Sequence, residues 1–155
     1  MWRPLPVVVL VLLVAVQAVP YGRHHTNPPV RAEPSWDSER TRSLAVRVCF
    51  DCHSNHTVWP WFSHVAPISW LTQRDVNQGR RAVNFSEWDR RQQEARESAT
   101  VLRRGEMPPR RYVLLRMATR LSATERQDLI RGLEATLGSR KAGKGGPVGG
   151  ITISE

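Results

Sequence analysis

Cys49-Phe50-Asp51-Cys52-His53 is the segment of this chain whose residue types and spacing can do chemistry. Two thiols three positions apart, followed directly by an imidazole, make C-x-x-C-H. That is the spacing of covalent haem attachment, in which the thiols bond to the haem vinyl groups and the histidine reaches the iron. The chain has 2 cysteines, and both lie here. One haem is therefore the most this chemistry allows, and no cysteine is left for a structural disulfide. Two other chemistries use the same residues. A redox disulfide of the thioredoxin type expects a βαβ context, and no strand–helix alternation is visible. A zinc site would take Cys49, Cys52 and two of His53, His56 and His64, at a spacing cramped beside ordinary zinc modules.

Haem iron has two axial positions, and His53 fills one. Met107 and Met117 are the methionines beyond the initiator, and His56 and His64 complete the candidates for the other position. Met107 lies in Gly105-Glu106-Met107-Pro108-Pro109, a stiff non-helical turn that fixes its thioether in advance. A Met/His pair raises the potential of a haem. Met117 sits in an apolar stretch and reads as core filler. His56 is too close to His53 to reach the opposite haem face, so His64 or a vacant sixth position is the competing arrangement.

The elements that must position these groups read as helices. Asp37 or Ser38 caps a helix running to about Cys49, which would bring both sulfurs to one side of a turn. Trp59-Pro60-Trp61-Phe62 breaks the pattern, and its rings are expected to wall the haem or close the core beside it. Pro67 opens a second helix with Trp70, Leu71, Val76 and Val83 on its apolar side. Ser86 caps a third, polar helix with a stripe of Trp88, Ala95, Val101 and Leu102, ended by Gly105. Ser122-Ala123-Thr124-Glu125 is a capping box opening a last helix whose buried face is Leu129, Ile130, Leu133 and Leu137. Gly132, costly in a helix by about 1 kcal/mol, permits close approach of the cysteine-bearing helix. No strand is expected, so the fold class is all-α.

The 155 residues allow one domain with extensions. Residues 35–138 form the domain, residues 21–34 a Pro-rich linker with solvated His24 and His25, and residues 139–155 a Gly-rich flexible tail. Residues 1–20 hold the apolar run Leu5–Val19, a membrane anchor or a signal peptide. The run is short for a hydrocarbon layer of about 30 Å, but Trp2 and Tyr21 flank it as interfacial anchors, which favours an uncleaved anchor. Arg3 then lies in the cytoplasm and the domain on the extracytoplasmic side. The net charge of +9, from 23 basic and 14 acidic residues, suits an acidic redox partner or anionic lipid, but charge runs usually serve solubility, which favours a solvated Arg-rich surface. No nucleic-acid reader motif accompanies it.

The stretch Cys49 to Trp61, with Ala66-Pro67-Ile68-Ser69-Trp70-Leu71, Asn84-Phe85-Ser86-Glu87-Trp88 and Gly105 to Pro109, resembles the bacterial haem-binding domain family of small C-x-x-C-H proteins. The likeness runs from Pro20 to Leu137. It implies a membrane-tethered or exported monohaem protein, a small cytochrome c-like helical domain, with Cys49 and Cys52 attaching haem c, His53 as proximal ligand and Met107 as distal ligand. The function expected is electron transfer with an unnamed redox partner. The alternative is a haem-based ligand sensor or peroxidase-like enzyme with an open sixth site, served by His64 or Arg110.

Overall fold

The structure is a computed structural model that describes residues 4–138. Among them the fold is helical, with α1 (Leu5–Ala15), α2 (Glu39–Val48), α3 (Phe50–His53), α4 (Ile68–Ala82), α5 (Ser98–Arg103), α6 (Arg110–Leu115) and α7 (Ala123–Gly138). No strand occurs among the described residues. Ala32 and Glu87 form an isolated parallel bridge.

The core is a packing of α2, α5 and α7. Leu44, Ala45 and Val48 of α2 and Ala99 and Leu102 of α5 share one buried cluster with Leu129, Ile130, Leu133 and Leu137 of α7, which packs on both of the other helices. Local signals set the ends of these helices. Thr41 N donates to the Ser38 hydroxyl at 3.2 Å, starting α2. Glu125 N donates to Ser122 Oγ at 3.1 Å and Ser122 N to Glu125 Oε2 at 2.9 Å, the reciprocal capping box of α7. Gly132 fits against α2 as expected, since a Cβ there would lie 1.9 Å from Thr41 Oγ1. An aromatic layer continues the core, with Phe85 stacked 5.8 Å from Phe50 and 6.0 Å from Trp88.

Two helical expectations are corrected. The second helix, α4, turns Ser69, Val76 and Gly79 inward and leaves Leu71 exposed. Its inward stripe is set by small residues that let backbones approach. A Cβ on Gly22 would lie 2.3 Å from Ser69 O, and one on Gly79 would lie 2.3 Å from Cys52 O. The third helix does not start at Ser86. Residues 83–94 are irregular, and a short 3-10 turn over Ala95–Glu97 leads into α5. Polar side chains there serve backbone groups that a helix would have to release. Ser86 N donates to Asn84 Oδ1 (3.0 Å), Asn84 N to Gln92 Oε1 (2.9 Å) and Asn55 N to Ser86 Oγ (2.9 Å).

Residues 21–34 run along the helical body. Arg80 donates to the Ser54 and Thr26 carbonyls, Asn27 Oδ1 and Thr57 Oγ1 at 2.8–3.1 Å, and Glu33 binds Arg42 through two 2.8 Å hydrogen bonds. No residue of α1 is buried. At 11 residues it is roughly 16 Å long, and no helix among the described residues is long and apolar enough to cross a membrane. The spanning helix expected from Leu5–Val19 is therefore not found there. The tail expected over 139–155 lies outside the described residues.

Candidate haem site

Cys49 sits at the joint between α2 and α3. Its amide still belongs to α2, donating to Ala45 O at 2.8 Å, and its carbonyl starts α3 by accepting from Cys52 N (3.1 Å) and His53 N (2.9 Å). Both sulfur-bearing residues and His53 therefore come from one tight turn. They line a cavity of about 300 Å³, and Met107 lines it too. Val48, Phe85, Val101, Leu102 and Leu133 give this cavity apolar walls, drawn from the same core that α2, α5 and α7 build.

The histidine is held in one orientation. His53 Nδ1 lies 3.1 Å from Val83 O. A carbonyl only accepts, so Nδ1 carries the proton and Nε2 is left with a lone pair for a metal. Burial holds the His53 imidazole below its usual range, against smaller opposing effects from the Val83 and Gly79 backbone. The ring is thus neutral, the form that ligates. Burial also pushes the Cys49 and Cys52 thiols up to about 12, helped at Cys49 by Cys52 and at Cys52 by Asp51 and Asp75.

Met107 reaches the cavity by a defined exit from α5. Gly105 has φ +73°, a left-handed conformation that glycine adopts freely. Gly105 N donates to Leu102 O (3.1 Å) and Glu106 N to Val101 O (3.0 Å), the paired bonds of a Schellman ending. Pro108 and Pro109 follow, and α6 begins at Arg110.

Residues that sequence reasoning missed tie this loop to the cysteine turn. Tyr112, on α6, donates its hydroxyl to Asp51 Oδ2 at 2.5 Å. Asp51, between the two cysteines, also accepts from Val58 N at 2.9 Å and pairs with Arg116 at 3.2 Å. Arg111 reaches both Asp75 oxygens at 2.8 and 2.9 Å, joining α6 to α4. Only the position of Asp51 inside the motif could have drawn attention to it; nothing local marks Tyr112.

Other sequence candidates lie elsewhere. His64 packs edge-on to His25 at 4.3 Å, and His25 stacks on Trp59 at 4.0 Å. Neither His64, His56 nor Arg110 lines the cavity; Arg111 does. His25 is half-buried with Nε2 3.1 Å from Ser63 O, rather than a solvated linker residue. The Trp59–Phe62 cluster does not wall the cavity, and Trp61 is 79% exposed. The turn over Trp61–His64 packs on α4, and Ser63 and His64 also meet His25. Among the described residues no three His, Cys, Asp or Glu side chains gather as a metal cage.

The haem-binding domain family model matches residues 11–135 of the chain. The match covers most of the sequence, and the protein belongs to the haem-binding domain family, with haem as its cofactor. No curated protein and no solved structure matches the chain. The donor set fits that cofactor: two thiols, an imidazole with Nε2 available and a thioether share one apolar-walled cavity.

Proposed function

We propose that the protein holds one haem c covalently through Cys49 and Cys52 and transfers single electrons on the extracytoplasmic side of a membrane. The observation that carries this reading is the sharing of one cavity by His53 and Met107. When bound, haem supplies an iron that cycles between ferric and ferrous states. The chain's residues do the rest. Cys49 and Cys52 would hold the macrocycle, and the Val83 carbonyl, by keeping the proton on Nδ1, leaves Nε2 of His53 free to ligate. As a ligand, the soft Met107 thioether would favour ferrous iron and raise the potential. With His53 and Met107 both holding the iron, no coordination site would be left for substrate.

Export is supported by the chemistry, because c-type haem is attached outside the cytoplasm. Attachment to lipid is supported by α1, which is apolar along its whole length and exposed throughout. The redox partner is a protein whose face complements a chain of net charge +9.

Carbon monoxide tests this reading. The ferrous wild-type protein is expected to bind it slowly at neutral pH, while Met107→Ala binds it rapidly and shows a lower potential. Rapid binding by the wild type would instead support a ligand sensor or peroxidase-like enzyme with an open sixth site.

A further inference from the structure

We propose that the uncharged surface around Trp61, Val65, Ile68 and Leu71 is a seat on the lipid headgroup layer, so that the haem domain stands on the membrane in a fixed orientation. This rests on the membrane attachment through α1 proposed above.

Three observations lead to it. First, residues 53–73 contain no Asp, Glu, Lys or Arg, in a chain that is 24% charged. Trp61, Val65, Ile68 and Leu71, all from this stretch, are exposed, Trp61 to 79%. An exposed tryptophan on an uncharged surface suits the boundary between headgroups and acyl chains, where its ring is apolar and its N–H stays wet.

Second, the exit of α1 is mounted on this same stretch. The Gln17 side chain donates to Ala66 O at 2.8 Å and accepts from Ala66 N at 3.1 Å. Arg23 donates to the Gln17 carbonyl and, at 3.3 Å, to Gln17 Oε1. Ser69 Oγ reaches Tyr21 O at 3.4 Å, and Gly22 lies so close to Ser69 that a Cβ would stand 2.3 Å from its carbonyl oxygen. Ala66 and Ser69 are the sequence neighbours of Val65 and Ile68. Lipid that receives α1 therefore lies within reach of these side chains.

Third, α1 has no polar face. Leu5 to Ala15 are all apolar, and Leu10 and Val14 are more than half exposed. A helix that is apolar all round needs lipid or a surrounding protein core, and here the stretch it is mounted on, residues 53–73, has no Asp, Glu, Lys or Arg. A zwitterionic lipid surface matches both parts.

The full-length holoprotein in phosphatidylcholine vesicles tests this. Vesicles with bromine near the headgroup end of the acyl chains are compared with unbrominated ones, so quenching by haem cancels in the ratio. Flotation with the vesicles reports attachment separately. The expected result is flotation, with bromine-dependent tryptophan quenching that falls in Trp61→Phe and is unchanged in Trp88→Phe, a residue packed against the core. Trp61 is too exposed for its substitution to disturb folding. Flotation with quenching unaffected by Trp61→Phe overturns the seat and leaves attachment standing. Failure to float overturns both.

Discussion

Gly79 of α4 touches the backbone of Cys52: a Cβ at position 79 would stand 2.3 Å from the Cys52 carbonyl oxygen and 2.9 Å from its carbon. The atoms in the way are backbone, which cannot swing aside. One turn further on, the same helix ends at Val83, whose carbonyl orients His53. The close approach of α3 and α4 thus sets both the cysteine turn and the histidine ring.

Gly79→Ala is expected to destabilise the protein by about 1–3 kcal/mol, the usual cost of overpacking, and to reduce haem loading. Gly138→Ala, where nothing lies within 4 Å of the added carbon, is the control. Thermal melts and haem-to-protein ratios check it; equal melting of the two variants would contradict the close packing.

Tyr112→Phe removes the 2.5 Å hydrogen bond to Asp51 and keeps the ring. A hydrogen bond to a charged group contributes about 1.5–3 kcal/mol, and that loss is expected in urea denaturation. An unchanged midpoint would show that the Met107 loop and the cysteine turn are held together by other contacts.

Glu33 gives a pH signature. The Arg42 guanidinium, with help from the Trp36 N–H, holds its carboxyl below the ordinary 4.5. A depressed folded pKa stabilises above the unfolded value, and the benefit is lost as pH falls through the folded one. Both side chains are partly exposed, so screening limits the effect to about 0.5–1 kcal/mol. Glu33→Gln should lower the melting temperature at pH 7, by an amount that shrinks as the pH is brought down from 4.5. A loss that does not shrink as the pH falls would mean the carboxylate charge contributes nothing.

The local parts of this fold were legible in the sequence. The Ser38 cap, the Ser122–Glu125 box and the α7 face each depend on residues within a turn or two, and Gly132 announced a close contact by its cost in a helix. The cavity-lining set Cys49, Cys52, His53 and Met107 was legible because motif and proline context are local too. The rest depends on distant partners. Asn55 meets Asn84 at 2.9 Å, and with Ser86 and Gln92 this replaces the third helix. Leu71 loses its expected place because Gly22 and Cys52 bring small residues of α4 inward. His25 captures Trp59, which no spacing rule could have foretold.

Thiol reactivity checks the burial of the cysteine turn. Thiolate is the reactive form, and burial pushes both thiols up to about 12 from an ordinary 9.0. The haem-free chain should alkylate slowly at pH 8 and rapidly in urea. Because the unfolded chain releases these protons first, the haem-free fold should lose stability as pH rises from 9 toward 12. Equally fast labelling in both solvents would show the thiols open to water.

Covalent attachment of haem through Cys49 and Cys52 underlies the proposed electron transfer. Its most direct measurement is the intact mass of the protein after acid–acetone extraction, made from cells competent in c-type haem maturation. The predicted result is the polypeptide plus one haem, lost in the Cys49→Ala, Cys52→Ala double variant. A bare polypeptide mass, with all haem in the acetone, would contradict it.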